Sequence, residues 1–539
     1  MVEWNFADIF ETVADHVPDR EAQVQGERRL TWGDTDRRAD GIARTLLAGG
    51  ADHQDKVALY LYNGPEYLEG CFAAWKAGLV PINTNYRYTA DELTYLWDNA
   101  DAVAVVFHGS FVDTIEPIRA DLPDIATWLW VDDGSGPCPD WATPYEAAAE
   151  SAGDPVRSDE PRSGDDLLML YTGGTTGMPK GVMWRQHDLI QGVVGATNPS
   201  FAADEPDMDA VREVLDGGGL RHMSACPLMH GTGWFTALMT LATGGSVVVT
   251  PGRHYDPVEM LDVIDAEAVN TVAIVGDAFA KPMVRAMDAE PDRWELSSLV
   301  ALVSSGVMWS ESVKEALLRH TPHVLCHDTF SSSEALGMGS SLSSGDSAAE
   351  TARFSLGANA IVVADDGSLV EPGSGVVGRV AVGGSTPIGY YKDEDKSAAT
   401  FVEIDGRRYS MPGDYAMVEP DGTLTLLGRG SVCINTGGEK VFPEEVEEAL
   451  KHHPAIHDAV AVGVPDDRFG EAVTAVVELE DGAEIDEAEV ISRVREHLAA
   501  YKAPKRILTI DTIGRAPNAK VDYKRLKRHA TDKLGITLD

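Results

Sequence analysis

Before Gly357, stretches with helical spacing alternate with short β-branched runs, and that alternation most restricts what the chain can fold into. Ala43, Leu46 and Leu47 lie on helical spacing and lead into the strand-like run Lys56–Tyr62. A helix is predicted over Pro65–Ala77 and a strand over Leu79–Asn83. Asp101–His108, Gly244–Thr250 and Asn270–Val275 repeat the strand pattern. These runs are short and apolar, which fits strands buried in a sheet covered by helices. The expected fold class is therefore α/β, with a large N-terminal domain of layered α/β sheets.

Near Gly357 the texture changes to short strands separated by Gly, Pro and Asp turns, which reads as a β-rich subdomain. The acidic, Gly-rich stretch Ala202–Gly219 reads as a surface loop or insertion. After Gly428 helix and strand return on a smaller scale. Pro443 opens a helix whose first turn is acidic, two valine-rich strands follow, and Ala488–Tyr501 is a second amphipathic helix. The expected division is 1–429 for a large domain and 430–539 for a small α+β domain.

Composition narrows the partners. The net charge of −43 repels nucleic-acid phosphates and anionic membrane surfaces, so no nucleic-acid partner is expected. Arginine outnumbers lysine about two to one, and such acidic, lysine-poor surfaces suit a salty cytoplasm. The cysteines, Cys71, Cys138, Cys226, Cys326 and Cys433, have no metal-type spacing and read as reduced cytoplasmic thiols. The acidic N-terminus reads as no signal peptide, no apolar run is long enough for a transmembrane segment, and the C-terminus matches no lipidation signal. A homodimer is compatible with the chain but not readable from it.

The densest local signal runs from Leu168 to Val182, where an apolar strand enters a loop of Thr172, Gly173, Gly174, Thr175, Thr176 and Gly177, followed by Lys180. Glycines let backbone N–H groups approach an anion, threonines add hydroxyl donors, and a lysine supplies a point charge for phosphate oxygens. No Ser or Thr follows Lys180, so this is not the loop of common nucleotide hydrolases. The segment closely resembles the signature of the adenylate-forming, AMP-binding superfamily, which includes acyl-CoA synthetases, luciferases and peptide-synthetase adenylation domains.

The resemblance spans nearly the whole chain, with further motifs in the family's order. Phe330-Ser331-Ser332-Ser333-Glu334 stands where the family has an aromatic, Gly, any residue, Thr and Glu. The resemblance implies that Glu334 and Thr175 lie at an Mg²⁺ ion on the ATP phosphates. Ser304, Ser305, Gly306, Val307 and Met308 occupy the adenine-contacting turn, and Asp328, before Thr329, lies where a polar residue meets the adenine amino group. Pro412-Gly413-Asp414 matches the turn with the ribose-binding Asp, and Arg429 matches a nucleotide contact. Ser431 occupies the interdomain hinge position, usually Asp or Lys. Gly437 and Gly438 would leave room for the pantetheine arm, and Lys440 replaces a phosphate-contacting Arg. Arg515–Leu526 matches the C-terminal motif with the adenylation lysine, here Lys520, although Ala519 replaces a usual Gly.

The resemblance thus implies a ligase that joins a carboxylic acid to AMP and passes the acyl group to coenzyme A, using ATP and Mg²⁺. His230, Gly233 and Trp234 would border the acid, with Asp277 on another wall. The pattern looks most like fatty-acyl and steroid side-chain CoA ligases. A carrier-loading adenylation enzyme is the alternative, since it shares the first half-reaction. A light-emitting oxygenase and a nucleotide-binding protein with a dead site are less favoured, the latter because Lys520, Glu334 and Asp414 are all present.

Overall fold

In the computed structural model, residues 3–156, 162–172, 178–345, 347–436, 439–466, 470–498, 500–516 and 519–536 are described. Their strands form three sheets, of fifteen, eight and five strands. The eight-stranded sheet is parallel at its centre, where Lys56–Tyr60, Val80–Asn83, Ala102–His108 and Thr127–Val131 lie side by side. The fifteen-stranded sheet has a parallel half, built from Glu21–Gln25, Ser246–Val249, Arg221–Ser224, Thr271–Ile274, Ala301–Ser305 and Leu325–Phe330. From Gly339–Ser343 onward it turns antiparallel, which gives the β-rich region expected after Gly357.

The parallel strands of the eight-stranded sheet are buried on both faces, as their near-continuous apolar runs require. Val57 and Leu59 of one sheet and Val247 and Val249 of the other share one core, so a helical layer is enclosed between the sheets. The helix Pro65–Lys76 lies in it, with proline at its start and every residue buried. That enclosure traps charges, which survive because they are paired. Arg38 reaches Glu69 at 2.6 Å, and Lys76 reaches Asp40 at 2.7 Å.

The five-stranded sheet carries its own core, including Val446, Leu450, Ala461, Val473 and Val490. It is flanked by the helices Pro443–Lys451 and Glu487–His497. The expected α/β body, β-rich region and α+β unit are therefore all present.

The segment Ala202–Gly219 differs from expectation. It contains an amphipathic helix, Met208–Asp216, whose Val211 and Leu215 are buried in the first core. The Asp207 carboxylate accepts from Asp209 N and Ala210 N at the helix start. Its acidic outer face hid a helix held by two apolar anchors.

Candidate active site

The strand Leu167–Thr172 enters the glycine–threonine turn, and Lys180–Arg185 leaves it antiparallel, with Thr172 opposite Lys180. Gly173, Gly174, Thr175, Thr176 and Gly177 lie outside the described residues. The Lys180 ammonium pairs with Asp393. Gly389–Tyr390 forms the next strand, opposite Met183 and Val182, and the Tyr390 hydroxyl donates to Glu334 Oε1 at 3.0 Å. Tyr390 therefore couples the hairpin of Leu167–Thr172 and Lys180–Arg185 to the Glu334 carboxylate.

The strands Ala301–Ser305 and Leu325–Phe330 run parallel and end together, so Ser305, Gly306, Thr329 and Phe330 meet at one sheet edge. Carboxyl ends of parallel strands are where open α/β sheets bind ligands. Local bonds fix this edge. Ser305 Oγ donates to Thr329 O, Thr329 Oγ1 to Ser304 O, and Gly276 N to Ser304 Oγ. Gly306 has φ +92°, a conformation that favours glycine. Past the edge, Ser331 Oγ accepts from Gly337 N, Ser332 Oγ from Ala335 N, and Ser333 O from the Trp184 indole. Ser331, which stands for the family's Gly, thus ties down the turn around Glu334 with its hydroxyl, as does Ser332, whereas Ser333 contributes only its backbone carbonyl.

Asp414 stands opposite Arg429 in an antiparallel pair, and its Oδ1 accepts from Arg429 Nε at 3.1 Å. Its Oδ2 is buried with no hydrogen-bond partner. Burial raises the carboxyl pKa and Arg429 opposes the rise. Arg429 is held cationic first by Asp414 and, against the effect of burial, also by Glu334. An orphaned buried carboxylate oxygen beside a fixed guanidinium suits a hydroxyl-bearing ligand.

Lys520 enters this same space from the C-terminal end of the chain. A tight turn presents it, in which Ala516 N donates to Lys520 O and Ala519 N to Ala516 O. Arg515 braces the turn, donating to Ala519 O and pairing with Asp458 at 2.6 Å. Ala519 has φ +57° and its methyl group joins the core around Phe279. Lys520 stays open to solvent, yet the enclosing walls lower its pKa, with Arg429 adding to the effect and Glu334 opposing it. His230 feels Lys520 too. Burial and that charge push its pKa down to about 3, so the imidazole is neutral, and its Nε2 has no hydrogen-bond partner. Lys520, Arg429, Glu334 and His230, far apart in sequence, share one cleft.

The AMP-binding enzyme family model matches residues 10–391, and the model for that family's C-terminal domain matches 445–520. The chain belongs to the AMP-binding enzyme family. It is 41% identical over 97% of its length to a medium/long-chain-fatty-acid–CoA/3-oxocholest-4-en-26-oate–CoA ligase of Mycolicibacterium smegmatis, covering 96% of that protein. It is 40% identical over 99% of its length to a 3-oxocholest-4-en-26-oate–CoA ligase of Rhodococcus rhodochrous, again covering 96%. Among solved structures, the anthranilate CoA ligase AuaEII with anthranoyl-AMP shares the fold at a TM-score of 0.82, with 20% identity and 99% of each chain covered.

Three other expected residues of this AMP-binding enzyme, Trp234, Gly233 and Asp277, are held by packing or hydrogen bonds. Trp234 is 0% exposed, and its ring packs edge-on against Tyr67 in the core, so it is not a pocket wall. A Cβ on Gly233 would come within 2.6 Å of Pro227 O, so this glycine lets its helix pack on the preceding loop and does not open room for an acid. Asp277 accepts from both Ser310 N and Ser310 Oγ, at 2.9 and 2.8 Å, and thereby anchors the loop after Gly306. Gly437 and Gly438 lie outside the described residues, as do the side chains of Ser431 and Lys440. The backbone of Ser431 belongs to the short helix Gly430–Val432, and Gly430 N donates to Gly413 O.

Sequence reading passed over Tyr390, Asp393 and Glu444. Glu444 lies so close to Gly428 that a Cβ there would sit 2.0 Å from its Oε2. Burial and Glu447 push its carboxyl upward. None of these residues stands in a motif dense enough to single it out.

Proposed function

We propose that this enzyme is an ATP-dependent acyl-CoA ligase for an apolar carboxylic acid, of the medium- or long-chain fatty-acid or steroid side-chain class. The observation that carries the reading is the delivery of Lys520 into the cleft lined by Glu334, Arg429 and His230. The substrate class rests on the named activities of the relatives that are about 40% identical over nearly the whole chain.

A carboxylate is a poor acyl donor because oxide would have to leave. Its oxygen therefore attacks the α-phosphorus of ATP, and pyrophosphate departs. Two anions must be gathered and negative charge on phosphorus stabilised, which is a task of positioning and electrostatics. The Lys520 ammonium serves the α-phosphate. The free oxygen of Asp414 takes the ribose hydroxyls, with Arg429 holding the carboxylate in place. Ser305, Gly306 and Asp328 border the base. The neutral His230 lets its unpartnered ring nitrogen meet the acid without placing a second cation beside Lys520.

Mg²⁺ fits this donor set. It commonly takes one or two protein carboxylates plus substrate phosphates, and Glu334 offers a carboxylate steadied by Tyr390. Among the described residues no group of three or more His, Cys, Asp or Glu could hold a metal without such help. When bound, the ion neutralises charge on the phosphates.

In the second half-reaction the thiol of coenzyme A attacks the acyl carbonyl and AMP leaves. We assign residues 430–539 as a unit that turns about Ser431 to withdraw Lys520 and admit the thiol. The separate sheet and core of that region support the assignment. A cytoplasmic setting fits cysteines that form no disulfide, and no helix among the described residues is long and apolar enough to cross a membrane.

The test is a panel of acids incubated with ATP, Mg²⁺ and CoA, with AMP and thioester both measured. Equal amounts of AMP and thioester from fatty or steroid acids are expected. AMP without thioester would point instead to loading of a carrier protein.

A further inference from the structure

Lys314 lies on the helix Glu311–His320, is 0% exposed, and its Nζ makes no hydrogen bond among the described residues. A buried ammonium without a partner is costly, and native structures rarely keep one. Helix Glu311–His320 packs through Val313 and Leu317 on the core that holds Cys326, and Asp328, two residues further along the strand Leu325–Phe330, lies on the same face of that strand. Burial lowers the Lys314 pKa, and the groups that oppose this are Asp328 first, then Cys326, Asp277 at the start of the helix Gly276–Ala289, and Glu311 on its own helix. Asp277 is already committed to Ser310 and to Lys281, 3.5 Å away. Cys326 is buried and its thiol is pushed up to about 12, so it carries no charge. Glu311 opens the helix, near the positive end of its dipole. Asp328 is 5% exposed, and its carboxyl has no hydrogen bond or ion pair among the described residues, although its backbone is paired in the sheet.

We propose that Lys314 is a positioning residue for nucleobase selection: its buried charge keeps Asp328 an ionised acceptor that takes a 6-amino purine and rejects a 6-oxo one. This rests on the reading that Asp328 borders the base. An ionised carboxylate accepts from the amino group of adenine and meets the lone pairs of a 6-carbonyl with repulsion. A protonated one donates to that carbonyl and no longer prefers ATP. Burial alone drives Asp328 toward the neutral form, with Asp277 reinforcing it, and Lys314 is the group that opposes them. The balance leaves Asp328 titrating at about 7. Recognition of ATP should therefore weaken as pH falls through neutrality.

The decisive comparison is between ATP and ITP, which differ at the 6-position, in full-length Lys314→Met, Asp328→Asn and double variants. Methionine keeps the length of the side chain in an apolar setting that includes Val313 and Leu317. For Lys314→Met, the preference for ATP over ITP in kcat/KM at neutral pH should fall about tenfold, carried by KM with kcat nearly unchanged. The acid limb of KM for ATP should move to higher pH. Asp328→Asn should abolish that limb, and adding Lys314→Met should then change nothing further. A Lys314→Met enzyme with unchanged ATP-to-ITP preference and an unmoved limb overturns the proposal, as does a Lys314→Met effect that persists in the double variant. If Asp328→Asn leaves both the preference and the limb intact, the base-contact reading fails as well.

Discussion

The sheet edge at Ser305 and Thr329 and the segment that carries Lys520 enter the proposed nucleotide site by opposite means. Strands Ala301–Ser305 and Leu325–Phe330 are clamped between neighbours, and their ends are cross-bonded through Ser304, Ser305 and Thr329. Lys520 instead is held by backbone bonds that link it and Ala519 to Ala516, is braced by Arg515, and follows Ala519 at φ +57°. The first region can hold a nucleotide through both half-reactions. The second can be withdrawn after one of them. Strand ends bonded on both sides cost a great deal to move, whereas the Lys520 segment belongs to a region with a sheet and core of its own.

Four changes should test that contrast, in descending order of effect. Lys520→Ala should lower acyl-AMP formation by about 10²–10³-fold, as loss of one preorganised donor does, measured as pyrophosphate release. Thioester formation from supplied acyl-AMP should be largely spared, and equal damage to both half-reactions would erase the distinction between the regions. Asp414→Ala should raise KM for ATP by about 10–100-fold, since a charged acceptor for the ribose is lost. Here both half-reactions should suffer, because the nucleotide stays through both.

Tyr390→Phe should cost adenylation about tenfold, the lower end of the value of one hydrogen bond to a carboxylate, and should raise the Mg²⁺ concentration needed for half-maximal rate. Arg285→Ala removes an exposed ion pair to Glu480, 2.6 Å long, that bridges the large body and the C-terminal region. Exposed pairs contribute about 0–1 kcal/mol, so adenylation should change by no more than about fivefold.

pH sharpens the comparison further. Lys520 must be cationic, and its lowered pKa means that adenylation fails as pH rises, at a lower pH than the usual lysine value of about 10.4. Lys520→Arg should remove that alkaline limb if it retains activity. His230, neutral throughout the physiological range, should contribute no limb there.

Much of the architecture was legible in the chain. The helix expected over Pro65–Ala77 is found at Pro65–Lys76, and the strands expected at Lys56–Tyr62 and Leu79–Asn83 at Lys56–Tyr60 and Val80–Asn83. The motif order also named residues that the fold gathers, Glu334, Arg429, His230 and Lys520 among them. Helix Met208–Asp216 escaped although Met208, Val211 and Leu215 recur at helical spacing, because the surrounding Asp and Gly residues read as a surface loop. Trp234 was misplaced because a tryptophan after two glycines looks the same in sequence whether its ring faces a pocket or the core.

What the sequence determined by itself is local: alternation set the strands and helices, and the Gly- and Thr-dense turn and the C-terminal lysine motif set the family. Only the tertiary structure decided which charges face one another across the cleft. It left Asp414 Oδ2 without a partner, seated Tyr390 on Glu334, and sealed Lys314 beside Asp328. Periodicity and turn chemistry act over a few residues, whereas burial and charge depend on what packs around a side chain, and those neighbours come from distant parts of the chain.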